Sequence, residues 1–218
     1  MKTISDNLIV CNNPIVFHNL AIIRDKNTGS ETFRSSVARI TRMIMSRVFD
    51  NVPLVSKNIE TPLMETEVKV IDPDAQFIIA PILRAGLIFS NTALGLLPMA
   101  KVHHIGLYRD EETLKPVPYY NKLPHTFENP DKTYIYILDP MLATGGSGVA
   151  AIKLFTDLNI HKKNITFVSL ISAPEGISNI FSNYPDIRLV TGAIDTRLND
   201  IGYILPGLGD AGDRAFNT

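Results

Sequence analysis

The sequence predicts an α/β protein with a mostly parallel central sheet flanked by helices. Two observations predict it. After residue 75, short apolar runs of strand length alternate with segments of helical pattern. Glycine-rich or arginine-bearing loops follow several of those runs, at the strand ends where such sheets bind ligands. With 218 residues the chain can bury a sizeable core, and 45% hydrophobic against 20% charged residues is ordinary for a globular protein.

In chain order, Ser30 is placed to cap a helix over 31–49, "ETFRSSVARITRMIMSRVF". Phe33, Val37, Ile40, Ile44 and Val48 recur at three- and four-residue steps and mark its buried face. Arg34, Arg39, Arg42 and Arg47 fall largely between them, as a solvated basic face, a subunit contact or an effector-anion site. "FIIAP" (77–81) reads as a buried strand and "LIFSNTALGLLP" (87–98) as the helix after it. "VHHIGLYR" (102–109) and "TYIYILD" (133–139) read as further strands, and "VAAIKLFTDL" (149–158) as a helix. "ITFVSLISA" (165–173) and "RLVTGAID" (188–195) are two more strands, with "GISNIFSNY" helical between them. Residues 110–132 break the rhythm: polar, with prolines at 116, 118, 124 and 130, they read as a long loop suited to a lid or binding role.

Composition excludes several classes. A formal net charge of −1 gives no reason to expect nucleic acid or an acidic membrane as partner. The single cysteine, Cys11, can form no intrachain disulfide and no multi-cysteine metal site, and reads as a small, half-buried hydrophobe. The five histidines show no metal-ligand spacing. The start, "MKTISDNLIV", lacks the apolar segment of a signal peptide, and Phe77–Phe89 is too short to span a bilayer, so a cytoplasmic protein is expected.

The chemistry sits in the loops. Leu138-Asp-Pro-Met-Leu-Ala-Thr-Gly-Gly-Ser-Gly148 follows a strand and opens a helix. Thr144, Gly145, Gly146 and Ser147 bring hydroxyls and unencumbered amides to a helix N-terminus, a cradle for phosphate. It has no G-K-[ST] and is not a Walker A loop. Asp139, just upstream, can accept hydrogen bonds from sugar hydroxyls, so the pair measures out a ribose 5-phosphate. Arg84, beside Ala85-Gly86, and Arg109 stand at neighbouring strand ends and can hold a second polyanion. Near the end, "GLGDAG" (207–212) matches the dinucleotide fingerprint G-x-G-x-x-G, but the six residues after it can supply neither the helix against the sheet nor the later acid. A nicotinamide oxidoreductase is rejected on that ground.

Together, "LDPMLATGGSG", "PILRAGL", "LYRDEETLKPVPYYNKLP", "APEGI" and "GYILPGLGDAGDR" resemble the uracil phosphoribosyltransferase family, in order and spacing from about Pro14 to Thr218. The N-terminal "NPIVFHNLAIIRDKNTGSETFR" resembles the family's arm. The resemblance implies the type I phosphoribosyltransferase fold in one domain: arm and helix (1–75), α/β core (76–195) and uracil-binding hood (196–218). It implies transfer of ribose 5-phosphate from 5-phosphoribosyl 1-diphosphate (PRPP) to uracil, giving UMP and diphosphate in pyrimidine salvage. Residues Asp139, Pro140, Met141, Leu142, Ala143, Thr144, Gly145, Gly146 and Ser147 resemble the PRPP loop. Asp139 would meet the ribose hydroxyls, and 144–147 the 5-phosphate. Arg84, Arg109 and Asp210 resemble catalytic groups that also bind PRPP, the arginines on the diphosphate side. Ile204, Gly209, Asp210 and Ala211 resemble the uracil contacts, and the excursion after Arg109 resembles a closing loop.

The resemblance further implies Mg²⁺ as cofactor, near Asp210 on the PRPP side, a homo-oligomer (dimer or tetramer) and GTP as effector. Asn13 departs from the histidine common before the Pro-Leu/Ile pair, and "MIMSRVFDNVPL" lacks the family's frequent tyrosine-glutamate pair. Uracil presents an acceptor–donor–acceptor edge that backbone N–H, C=O and N–H groups complement, and glycine lets that backbone come close. Cytosine mismatches two of those positions. A regulatory protein of the same fold, binding nucleotide or RNA with little catalysis, is the alternative. The near-neutral charge argues against RNA, and the intact reactant loops argue against lost catalysis.

Overall fold

A computed structural model of the chain describes residues 6–109 and 116–218, leaving aside the side chains of Tyr108, Arg109 and Pro116. Its elements in order are β1 (Leu8–Val10), α1 (Pro14–Arg24), α2 (Ser30–Val48), β2 (Leu54–Glu60), β3 (Glu65–Ile71), β4 (Gln76–Leu83) and α3 (Leu87–Leu96). Then come β5 (Lys101–Val102), β6 (Ile105–Arg109), β7 (Pro116–Asn121), β8 (Thr133–Leu138), β9 (Met141–Leu142) and α4 (Gly146–Thr156). The chain ends with β10 (Ile165–Ser172), α5 (Pro174–Asn183), β11 (Arg188–Ile194), β12 (Arg197–Leu198), β13 (Ile204–Leu205) and α6 (Ala211–Phe216).

The central sheet runs β1-β11-β10-β8-β4-β6-β7, parallel throughout except for the antiparallel β6–β7 pair. β10 is buried along its whole length and β4 nearly so, as strands covered on both faces are. One face packs against α1, α2 and α3 through Phe33, Val37, Ile40, Ile44 and Phe89. The other packs against α4 and α5 through Ile152, Phe155 and Ile180. The five apolar positions read from the α2 periodicity are all buried.

Several elements differ from the sequence reading. Ser30 is the first residue of α2 rather than its cap: Gly29 takes the cap position, and Ser30 Oγ donates to Asn217 Oδ1 at 3.2 Å. The single strand expected over 102–109 is split at His103-His104, where the pairing on β4 is interrupted. Residues 110–115 of the expected loop lie outside the described residues, but 116–121 form β7 instead of coil. Its prolines are tolerated because β7 is an edge strand. Helix α1, capped by Asn13 Oδ1 accepting from Ile15 N at 2.8 Å with Pro14 at its first position, was not read from the sequence. Neither was β1, nor the β2–β3 hairpin. α6 does follow "GLGDAG", but it is six residues long and packs against α2, where Arg34 Nη1 donates to Ala215 C=O at 2.7 Å.

Candidate functional site

Two adjoining cavities open at the carboxyl ends of the parallel strands, one of about 430 Å³ and one of about 300 Å³. They share Asp139, Met141, Ala143 and Asp210. The smaller is built from the turn between β8 and α4. β8 stops at Leu138 because Pro140 cannot donate to the ladder; the Pro140 carbonyl instead accepts from both Leu170 N (3.0 Å) and Ile171 N (3.1 Å). Met141 and Leu142 resume pairing with β10 as β9, which aims the following residues across the top of the sheet.

Gly145, with φ +81°, caps α4 in the left-handed region. A Cβ there would stand 2.8 Å from the Gly176 carbonyl, so the position requires glycine twice over. From α5, Asn179 Nδ2 donates to the Thr144 carbonyl at 2.8 Å. The loop is thus pressed onto the first turns of α5, and Thr144, Gly145, Ser147 and Gly148 line the small cavity at the N-terminus of α4. Amides at such a terminus favour an anion.

The larger cavity is walled by Ile201, Gly202, Tyr203, Ile204, Gly209, Asp210 and Ala211, with Ala85 from the β4–α3 turn. Asn199 shapes the wall: its Oδ1 accepts from Tyr203 N (2.8 Å) and Ile201 N (3.2 Å). Gly209 has φ +82°. Among the described residues neither its N–H nor its C=O has a hydrogen-bond partner, so a donor and an acceptor stand open at the cavity wall. Asp210 Oδ1 caps α6 by accepting from Asp213 N at 2.9 Å.

The two shared acids interact. Burial pushes the Asp139 carboxyl up to about 7, and the nearby charge of Asp210 adds to the rise, against a Met141 N–H that favours the ionised form. A pair of carboxylates held in this way at the junction of two cavities marks a candidate functional site on physical grounds.

Of the sequence-derived candidates, Asp139, Met141, Leu142, Ala143, Thr144, Gly145 and Ser147 come together around the small cavity, and Ile204, Gly209, Asp210 and Ala211 around the large one. Pro140 is buried beneath the turn and lines neither cavity, and Gly146 lines neither. Arg84 ends up just beyond β4, with Nη2 on Asp213 Oδ1 at 3.0 Å, both side chains half exposed. Arg109 is the last residue of β6, and its side chain lies outside the described atoms. Sequence reasoning missed Ala85, Gly148, Ile201 and Gly202, and gave "APEGI" no role, although its Gly176 buttresses the turn between β8 and α4.

The family model for uracil phosphoribosyltransferase matches residues 10–218. The chain belongs to this family. It is 51% identical to a uracil phosphoribosyltransferase of Dictyoglomus thermophilum over 97% of this chain and 99% of that one. It is 47% identical to one of Lachnoclostridium phytofermentans over the same shares. Among solved structures, the AQ2163 protein of Aquifex aeolicus matches with TM-score 0.86 at 34% identity, covering 96% of this chain and 97% of that one. The adenine phosphoribosyltransferase of Leishmania donovani, at 13% identity and TM-score 0.55 over 92% and 89% of the two chains, shares the fold. The fold is thus that of the type I phosphoribosyltransferases. No helix among the described residues is long and apolar enough to cross a membrane.

Proposed function

We propose that this protein transfers the 5-phosphoribosyl group of PRPP to uracil, giving UMP and diphosphate, in the cytoplasm. The observation that carries the reading is the pair of cavities joined at Asp139 and Asp210: one ends in a helix N-terminus suited to a phosphate, the other in the open backbone of Gly209. Amides of 144–147 hold the 5-phosphate, Asp139 accepts from the ribose hydroxyls, and Gly209 with Ala211 reads the base edge. Ile204 and Tyr203 flank the ring. Bond breaking at the anomeric carbon builds positive charge on the ribose while a polyanion departs, so positioning and charge neutralisation dominate over any covalent nucleophile.

Arg84 and Arg109 are assigned to the diphosphate. Arg84 reaches it by giving up Asp213, an exposed pair of the weak kind. Among the described residues no three of His, Cys, Asp and Glu cluster into a metal site. Asp139 and Asp210 nevertheless offer hard oxygen donors of the kind that hold Mg²⁺ together with substrate phosphates. When bound, Mg²⁺ would neutralise diphosphate charge. Asp210 is proposed to act from the PRPP side, and the segment after Arg109 to close over the reactants and exclude water.

A homo-oligomer is proposed from the β2–β3 hairpin. It is exposed on every residue of β2, displays Leu54, Val55, Ile59, Leu63 and Met64 to solvent, and is too small to be stable unsupported. GTP is proposed as effector from family membership and is tested by adding it to the assay.

The experiment is product formation from labelled uracil with PRPP and Mg²⁺, with cytosine, orotate and hypoxanthine in parallel. UMP from uracil alone is expected. No product from any base, with PRPP still bound, would overturn the reaction and favour a regulatory role.

A further inference from the structure

A base read by backbone groups is read only as well as that backbone is fixed. The segment leading into Gly209 has no regular secondary structure to fix it: β13 ends at Leu205 and Gly207 has φ +59°. Three charged side chains hold it instead, two of them from elements distant in the chain. Asp195, one residue past β11 and with its side chain 4% exposed, accepts from Gly207 N at 2.8 Å through Oδ2. The same carboxylate takes both terminal nitrogens of Arg24, the last residue of α1, at 2.8 and 2.6 Å. Arg24 Nη1 also donates to the Gly207 carbonyl at 2.8 Å. Both polar backbone groups of Gly207 are therefore bound by one ion pair.

The next residue is held in a similar way. Arg214 Nη1, from α6, donates to the Leu208 carbonyl at 2.8 Å and to the Ile23 carbonyl. Its Nη2 donates to the Asp25 carbonyl at 2.6 Å, and the guanidinium lies 4.7 Å from the centre of the Phe33 ring. Burial depresses the Arg214 pKa and Asp25 partly offsets this, while the group stays charged. Arg24, Asp195 and Arg214 line neither cavity.

We propose that Arg24 and Asp195, with Arg214, are positioning residues that set the register of the uracil-reading backbone through Gly207 and Leu208. The inference rests on the functional reading above and adds residues to it. An ion pair with one side chain almost wholly buried is weak evidence for stability, since an apolar replacement is often as good. What bidentate, charge-assisted bonds supply is direction, and here they direct the two peptides that precede Gly209. The arrangement also ties the hood to the end of the N-terminal helix, so base recognition depends on a segment that never meets the base.

The test is steady-state kinetics of Arg24→Ala and Arg24→Lys, with guanidinium ion added to the alanine variant. Loss of charge-assisted bonds to Asp195 and Gly207 should raise KM for uracil by about tenfold or more, with KM for PRPP changed less than about twofold. Millimolar guanidinium should restore at least part of the uracil KM of Arg24→Ala. If the alanine variant fails to fold, Arg24→Lys carries the test: one ammonium cannot serve both carboxylate oxygens and the carbonyl in the planar fork, so a smaller rise confined to uracil is expected. Unchanged uracil KM in the folded variants, or equal rises for both substrates, would overturn the proposal while wild type still makes UMP. A wild type that makes no UMP would instead overturn the functional reading beneath it.

Discussion

Replacing Gly145 by alanine tests the phosphate cradle where the structure leaves least room. Its φ of +81° costs a residue with a Cβ about 1–2 kcal/mol. The added Cβ would meet the Gly176 carbonyl at 2.8 Å and the Asn179 Cβ at 3.1 Å. The first belongs to the backbone of α5 and cannot swing away, so overpacking adds about 1–3 kcal/mol. The turn must relieve this by lifting off α5, which stretches the Asn179–Thr144 bond and misaims the amides at the start of α4. If about 1.4 kcal/mol of the strain is felt in the bound state, KM for PRPP rises about tenfold, while KM for uracil, read at the other cavity, stays near wild type. Initial velocities against each substrate, with saturating partner, measure the split. Gly95→Ala in α3, where a Cβ would meet nothing within 4 Å, is the control and should leave both constants unchanged. A folded Gly145→Ala protein with wild-type KM for PRPP would refute the cradle.

The other predictions follow the same geometry. In Gly209→Val the nearest atom to the new Cβ is Arg214 Cδ at 3.8 Å, so room is not limiting, but φ +82° is; uracil KM should rise about tenfold or more for about 1–2 kcal/mol of backbone strain, and normal uracil affinity would place the base elsewhere. Arg84→Ala should leave the melting temperature nearly unchanged, because its pair with Asp213 is half exposed, while raising the PRPP requirement more than the uracil one; Arg109→Ala should show the same kinetic split, and equal effects on both substrates would remove them from the diphosphate. Asp139 has a folded-state pKa raised from 3.8 to about 7, so its stabilising contribution is fully present below pH 3.8 and is lost as pH rises through 7. The ligand-free protein should lose up to about 4 kcal/mol across that window. Asp139→Asn should flatten that part of a stability–pH profile while impairing PRPP use; an unflattened profile would show that Asp139 ionises freely.

The turn between β8 and α4 was legible because its chemistry is local: a buried strand, an acid, then Thr144 to Ser147 opening a helix, all between Thr133 and Ser147. α2 was legible because Phe33, Val37, Ile40, Ile44 and Val48 repeat at helical spacing against a single core. The β2–β3 hairpin was not, because β2 is exposed at every position and period-2 burial, the signal of a strand, is missing from it. β7 was hidden by Pro116 and Pro118, which speak against a strand unless it is known to lie at an edge. Asn13-Pro14 did carry a helix-start signal, cap residue then proline, which was read only as part of an arm. Arg84's partner and the Arg24–Asp195 pair join positions 129 and 171 residues apart, for which no local pattern exists.

That contrast follows from what each half of the site must bind. A phosphate is satisfied by converging amides, and one strand–turn–helix unit supplies them from contiguous sequence. A planar base with an alternating edge needs a donor and an acceptor fixed in one orientation, and no helix or strand end presents both toward the same ligand. On the proposed reading the chain meets that need with a left-handed glycine whose own groups stay open, held through its neighbours: both backbone groups of Gly207 by Arg24 and Asp195, and the Leu208 carbonyl by Arg214. Rejection of cytosine then depends on the wall being unable to turn a peptide to suit it. A mismatched, buried polar pair costs about 1–3 kcal/mol only if the protein cannot rotate to repair it. On the proposed reading the discrimination therefore lies as much in α1, the end of β11 and α6 as in Gly209 itself.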